Sequence, residues 1–326
     1  MHNLSKVQDI DFEISHIEDL VEAYGRIGGF MAKHLHDAAK LLLEMCSRDD
    51  VTMMMSFTGN LIATGIRGLI TQFLKRGFID VIITTTGTID HDLAKALGGE
   101  YYTYTFDAND EELIMKGLHR IGNIIVKKEH YGLLIEKFTH KVLSEIADEK
   151  LRIGVRELLW YLGMKLSDDN SIIRTAYVEK IPIYVPGFVD GAFGTAILTF
   201  NEIRRSKGKE SLIVDVMIDE KELMDIIYSS DKLGGLIIGG GISKHHLIWW
   251  CQFRDGLDYA IYITTAVEWD GSLSGARPKE AISWGKIKIQ AKTIHVFCDA
   301  SITLPVILTY VMKKLKFRKR RQLLHK

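Results

Sequence analysis

At 326 residues, 47% hydrophobic and 26% charged, the chain is long and apolar enough to bury a large core, which excludes a disordered or low-complexity protein. Lysine plus arginine and aspartate plus glutamate both total 42, so net charge offers no argument for an acidic partner, and no nucleic acid is expected. Three cysteines, Cys46, Cys251 and Cys298, stand far apart with no C-x-x-C pair, which argues against a disulfide framework and a metal site and suits a reducing, cytoplasmic setting.

In chain order, the opening stretch MHNLSKVQDIDFEISHIEDL lacks the apolar core of a signal peptide, and no apolar run approaches the ~20 residues that cross a bilayer. A soluble protein with no membrane partner is expected. Residues 1–50 read as a helical lead, with helical apolar spacing from Ile14 to Met45. Thereafter short apolar runs end in small or polar residues and give way to helical patterns: VTMMMSFTGN, IDVIITTTGTID, IPIYVPGFVDG, SLIVDVMID, GLIIGGGISKHH, YAIYITTAVEWDG and TIHVFCDAS. Strand, loop and helix repeated about seven times predict an α/β fold with a doubly wound, mostly parallel sheet. Between these runs, DEELIMKGLHRIGNIIVKKEHYGLLIEKFTHKVLSEI and ADEKLRIGVRELLWYLGMKLS read as mostly helix. Four prolines and no Gly/Ser-rich linker favour one domain over 1–326. The basic tail, 312–326, reads as a solvated helix end in preference to a binding patch.

In an open parallel sheet, ligands bind beyond the carboxyl ends of the strands. Thr58, Gly59 and Asn60, opening a helix from Leu61, offer backbone N–H groups to a phosphate, as do Thr84, Thr85, Thr86 and Gly87. Gly239, Gly240 and Gly241 follow a strand and precede a helix, although the G-x-G-x-x-G spacing is absent. His245 opens that helix and could shuttle a proton or simply be structural. Asp190, Asp270 and Asp299 stand at strand ends, where aspartate caps helices or meets ribose hydroxyls. His34 and His36 lie on a helix with no partner signal and read as structural.

The stretch EAISWGKIKI places Lys286 at a corner: Pro278 opens a short helix, Gly285 stops it, and Ile287 and Ile289 alternate as in a strand. Either the lysine stem lies along the sheet with its ammonium in water, or a poorly solvated amine beside Trp284 serves as a nucleophile. The residues alone leave both open.

GGGISKHH, YAIYITTAVEWDGSLSGARPKEAISWGKI and FCDASITLP, preceded by GNLIATGIR, TTTGTIDHDL and VPGFVDGAFG, closely resemble the deoxyhypusine synthase family, in order from about Ala23 to about Leu308. The resemblance implies a Rossmann-like NAD-binding fold, a homotetramer with active sites between paired subunits, and transfer of the 4-aminobutyl group of spermidine. The group passes through an enzyme-lysine imine to a lysine of the hypusine-bearing translation initiation factor precursor, forming deoxyhypusine. On this match Lys286 forms the imine, His245 shuttles protons, and Glu280 and Trp284 grip the polyamine as carboxylate and aromatic wall. Gly271, Ser272, Leu273, Thr195, Asp90 and His91 fall on substrate-binding positions. Gly59, Asn60, Leu61, Ala63, Thr85, Thr86, Gly87, Asp190, Gly240, Thr265, Ala266, Asp270, Asp299 and Ala300 would line the NAD.

The chain departs from well-studied eukaryotic members, which carry aspartates at Thr195 and Leu273 and a glutamate at His91. Losing such carboxylates should change donor affinity or identity; Asp90 and Asp92 are possible compensators. The short N-terminus resembles the archaeal type. Two other readings are a homospermidine-synthase-like transfer to a small diamine and an inactive NAD-binding scaffold.

Overall fold

The computed structural model describes residues 6–10, 13–321 and 323–324, so parts of the predicted lead and tail lie outside it. Among the described residues no helix is long and apolar enough to cross a membrane. The chain divides into two compact units. One comprises the chain through Phe57, Arg76–Val81 and everything from Met224 onward; the other comprises Thr58–Lys75 and Ile82–Leu223.

The α/β class with a parallel main sheet is what the sequence predicted. The parallel strands of the two units, numbered in chain order, are β1 (Val51–Ser56), β2 (Val81–Ile83), β3 (Ile183–Tyr184), β4 (Lys232–Ile238), β5 (Leu257–Thr264) and β6 (Ile287–Phe297). In the first unit the order is β6-β5-β4-β1, all pairs parallel, with β1 in register with β4 from Val51↔Lys232 to Ser56↔Ile237. Every residue of β1 is buried and β5 is nearly so, which is why each carries consecutive apolar residues, Met53–Met55 and Tyr259–Ile263, and not an alternating pattern. In the second unit β2 pairs in parallel with β3 through Ile82↔Ile183 and Ile83↔Tyr184.

Helices follow the strands as parallel crossovers require. The helical lead is α1 (Ile17–Ile27) and α2 (Phe30–Cys46), broken at Gly28 and Gly29. Helix α3 (Thr86–Ala96) follows β2, α4 (Ala192–Ser206) follows β3, and α5 (Gly241–Cys251) follows β4. The short α6 (Pro278–Ser283) precedes β6, and α7 (Ala300–Lys314) follows it.

Three expectations differ from the structure. The run SLIVDVMID forms only a two-residue strand, Ile213–Val214, paired with Arg152–Ile153 outside the main sheet; its Ile213 side chain is exposed and not packed into a core. Residues 118–127, read as helix, are strands Leu118–Ile121 and Ile124–Lys127, which pair antiparallel around Gly122 at φ 58. Finally, the basic tail is not simply solvated: Arg318 is buried, with its guanidinium on both carboxylate oxygens of Asp80 at 2.9 Å.

Candidate active site

Lys286 sits at the predicted corner. Pro278 occupies the first turn of α6, where its missing N–H costs nothing, and Trp284 ends the helix. Gly285 takes the left-handed conformation, φ 67, that a side chain disfavours. The reversed chain is closed by Gly285 N–H donating to Ile282 at 3.0 Å and Lys286 N–H to Ala281 at 3.0 Å. Lys286 is thereby only 7% exposed, and its Nζ lies 5.2 Å from the centre of the Trp284 ring and 5.8 Å from that of Trp249. So little exposure is at odds with the solvated reading of this lysine.

The ammonium faces a cavity of about 330 Å³ within the first unit, also lined by Lys244, His245, Tyr262, Leu273 and Glu280 among others. Its other walls include Trp249, Gly271, Arg277 and Trp284. His245 stacks on Trp249, ring centres 5.6 Å apart at 26°. Burial, then the charges of Lys286 and His246, hold the His245 imidazole below its ordinary value, which favours the neutral ring that a proton carrier needs. Ser272 does not line the cavity; its N–H donates to Asp270 Oδ1 at 2.7 Å, shaping the loop from which Gly271 and Leu273 reach in.

Lys244 was passed over by the sequence reading. It is 1% exposed, and its Nζ donates to the carbonyls of Leu273 at 2.6 Å and Ala276 at 2.8 Å. Burial lowers it to about 8, with Glu280 pulling the other way. The lysine thus tethers the 273–276 loop against the cavity. Trp249 was missed as well, although its position four residues after His245 on α5 places the two on one helical face.

The first unit also holds six of the cofactor candidates at the carboxyl ends of β4, β5 and β6. Gly240 precedes α5, and a side chain there would collide with Ser274, whose Oγ lies 2.2 Å from the position a Cβ would take. Gly241 N–H donates to that Oγ at 3.1 Å. Ala266 N–H is held by Thr264 Oγ1 at 3.0 Å, beside exposed Thr265. Asp299 caps α7 by accepting from Ser301 N–H at 2.8 Å, with Ala300 next to it, and Asp270 is exposed.

In the second unit, Thr85 precedes α3, and Thr86 donates to Gly187 at 2.8 Å. Gly59 and Gly87 approach so closely that a Cβ on Gly59 would lie 2.4 Å from the Gly87 carbonyl carbon. Exposed Asn60 and buried Leu61 and Ala63 belong to the short helix beyond Gly59. Asp190 is exposed on the loop before α4. Asp90 is committed: it accepts from Ala192 N–H at 2.9 Å and Phe193 N–H at 2.8 Å, capping α4, and burial raises it to about 6. Thr195 donates to Gly191 at 3.0 Å. His91 is buried against Tyr131 and bonds Tyr101 Oη at 2.9 Å, and burial, then Lys95, lowers it to about 4. Asp92 is spoken for by Arg67, Ser171 and the N–H groups of Ile172 and Ile173.

Among the described residues, no cluster of three or more His, Cys, Asp or Glu is placed to hold a metal ion. The family model for deoxyhypusine synthase matches residues 19–311, nearly the whole fold. The chain belongs to the deoxyhypusine synthase family. It is 47% identical over 300 residues to the "Probable deoxyhypusine synthase" of Ignicoccus hospitalis, covering 92% of this chain and 93% of that one. It is 48% identical over 293 residues to the protein of the same description from Pyrobaculum aerophilum, covering 90% and 99%. Among solved structures, a protein from Entamoeba histolytica assigned to deoxyhypusine synthase superposes with a TM-score of 0.65 over 97% of this chain and 99% of its own. At 22% identity that likeness speaks for the fold alone. The activity of deoxyhypusine synthase, a transferase that forms deoxyhypusine on its translation factor precursor, belongs to this chain with the family.

Proposed function

We propose that the cavity around Lys286 binds spermidine or a related amine donor and that Lys286 carries the 4-aminobutyl group as an imine. The observation that carries this reading is an enclosed lysine amine, pinned between two tryptophans, on a cavity that also presents a carboxylate and an imidazole. Attack of Nζ on the donor's imine carbon forms the enzyme imine and releases the rest of the donor as an amine. The proton lost from Nζ passes to the leaving nitrogen, with His245 as carrier. Glu280 holds a donor ammonium, and Trp284 covers the alkyl chain and its charge. The same displacement, with the acceptor lysine as the attacking amine, moves the group to the translation factor.

NAD, when bound, accepts a hydride from the donor and returns one to the product imine. The residues present fit such a group. The 11-residue helix α3 begins at a threonine-rich strand end and the 11-residue α5 at a glycine-rich one, each offering N–H groups to phosphates, and Asp190, Asp270 and Asp299 are exposed carboxylates suited to ribose hydroxyls. The proposed contacts in the second unit are Gly59, Asn60, Leu61, Ala63, Thr85, Thr86, Gly87 and Asp190, and those in the first unit are Gly240, Thr265, Ala266, Asp270, Asp299 and Ala300. A homotetramer working in the cytoplasm completes the reading.

The test is peptide mass mapping after incubation with NAD and spermidine, followed by borohydride. A 4-aminobutyl adduct on Lys286 is expected, and none on Lys286→Arg, because a guanidinium stays charged and forms no imine. An adduct on another lysine, or undiminished transfer by the variant, would overturn the assignment.

A further inference from the structure

The cavity is an unusual receptor for a polycation. Its lining brings Lys244, Arg277 and Lys286 together with a single carboxylate, Glu280. Two of those cations are committed elsewhere, Lys244 to the Leu273 and Ala276 carbonyls and Arg277 to Glu268 at 2.7 Å. Leu273 contributes an apolar wall. Carboxylates in number, the usual means of reading primary ammonium groups through their N–H donors, are therefore not what this chain's own walls of the cavity supply.

It supplies aromatic faces instead. Trp284 and Trp249 both lie within the ~6 Å reach of a cation–π contact to the Lys286 ammonium. They are 66% and 41% exposed, so indole surface remains beyond what Lys286 covers. Trp249 stacks on His245 and makes an edge-on contact with Phe253 at 5.7 Å, which orient its ring. A second observation points to a ligand. Tyr262 lines the same cavity, is 1% exposed, and its hydroxyl has no hydrogen-bond partner among the described residues. Such an orphaned buried hydroxyl is costly unless something bound satisfies it.

We propose that Trp249 determines donor specificity: with Trp284 it forms a two-sided aromatic grip that selects an amine donor by its cationic alkyl chain and not by its N–H donors. The proposal rests on the reading of this cavity as the donor site and deepens it. An aromatic face attracts a cation from any direction and consumes no N–H group, so a methyl group on the gripped nitrogen costs little. A carboxylate reads N–H groups and would penalise the same methyl.

The experiment is calorimetric titration of the NAD-loaded protein with spermidine and with its two terminal mono-N-methyl isomers, alongside borohydride trapping at Lys286. In the wild type at least one methylated isomer should bind within about threefold of spermidine. Trp249→Ala should weaken spermidine about 5- to 30-fold, the worth of one partly desolvated cation–π contact, while Trp249→Phe keeps most of the affinity. Leu273→Asp should tighten spermidine and raise discrimination against methylation. Unchanged affinity in Trp249→Ala, or a loss above tenfold for both methylated isomers in the wild type, overturns the grip. No binding of any of the three amines to the wild type overturns the grip and the donor-site reading together. Binding that responds to Trp249 without an adduct on Lys286 supports the grip and overturns the imine-forming role alone.

Discussion

Two buried lysines meet one cavity, and they differ in what surrounds their ammonium groups. Lys286 faces indole rings, which attract charge but form no lasting bond, whereas Lys244 is anchored by two carbonyls. The second arrangement is a tether, and its energetics are testable. Replacing Lys244 with methionine removes a buried charge but leaves the Leu273 and Ala276 carbonyls unpaired, a loss of about 1–3 kcal/mol, to be read from the denaturation midpoint. The pH dependence has a definite sign. The folded value of about 8 lies below the ordinary 10.5, so between them the unfolded chain binds the proton that the folded chain releases. Wild-type stability should therefore rise relative to Lys244→Met as pH increases from about 8 towards 10.5, and the gap should be constant below 8. A gap that narrows from the wild-type side over that window would mean the ammonium is not desolvated.

At the scale of elements, the corner carrying Lys286 was legible in sequence and the hairpin at 118–127 was not. The corner is punctuated locally: Pro278 can sit only in a first turn, and Gly285 is the residue most tolerant of φ 67, so two residues of one short stretch specify the reversal. The hairpin's isoleucines, Ile121, Ile124 and Ile125, are spaced as a helix face would space them. What makes them strands is pairing: Ile124 and Ile125 lie against Tyr101–Thr103, a contact that no short window contains, and Ile121 pairs with Ile124 across the hairpin. Trp249 escaped for a related reason, since its meaning depends on Lys286, which is distant in the chain. The corner makes its own prediction. Gly285→Ala forces a Cβ into the left-handed region, costing about 1 kcal/mol or more, and it also displaces the amine that follows. Trapping at Lys286 should consequently fall at least tenfold while the unfolding midpoint moves only modestly, and Gly285→Asn, which tolerates this conformation, should recover part of both. Equal trapping by the alanine variant and the wild type would show that the corner does not position the lysine.

At the scale of the whole molecule, the C-terminal segment contributes a structural anchor that charge counting obscured. After α7 the chain turns back so that Arg318 N–H donates to Arg76 at 2.8 Å, and the guanidinium reaches Asp80, with side-chain exposures of 2% and 0%. Its Nη2 also donates to the Val51 carbonyl at 2.5 Å, at the first residue of β1, and Asp80 in turn accepts from Met53 N–H at 2.8 Å. One side chain thus joins the last segment of the first unit to the start of its most buried strand. A basic run in sequence looks like a solvated face because ionised side chains are rarely buried, yet a run can be exposed at Lys319 and buried one residue earlier. Removing one partner of such a pair strands the other charge, so Arg318→Ala should cost about 3–5 kcal/mol, whereas Lys319→Ala should stay within about 0.5 kcal/mol of wild type. Because the pair is shielded from solvent, the difference between the two variants should persist in concentrated salt. If high salt abolished it, or if the two variants unfolded at the same denaturant concentration, the tail would be an ornament of the surface and not part of the core.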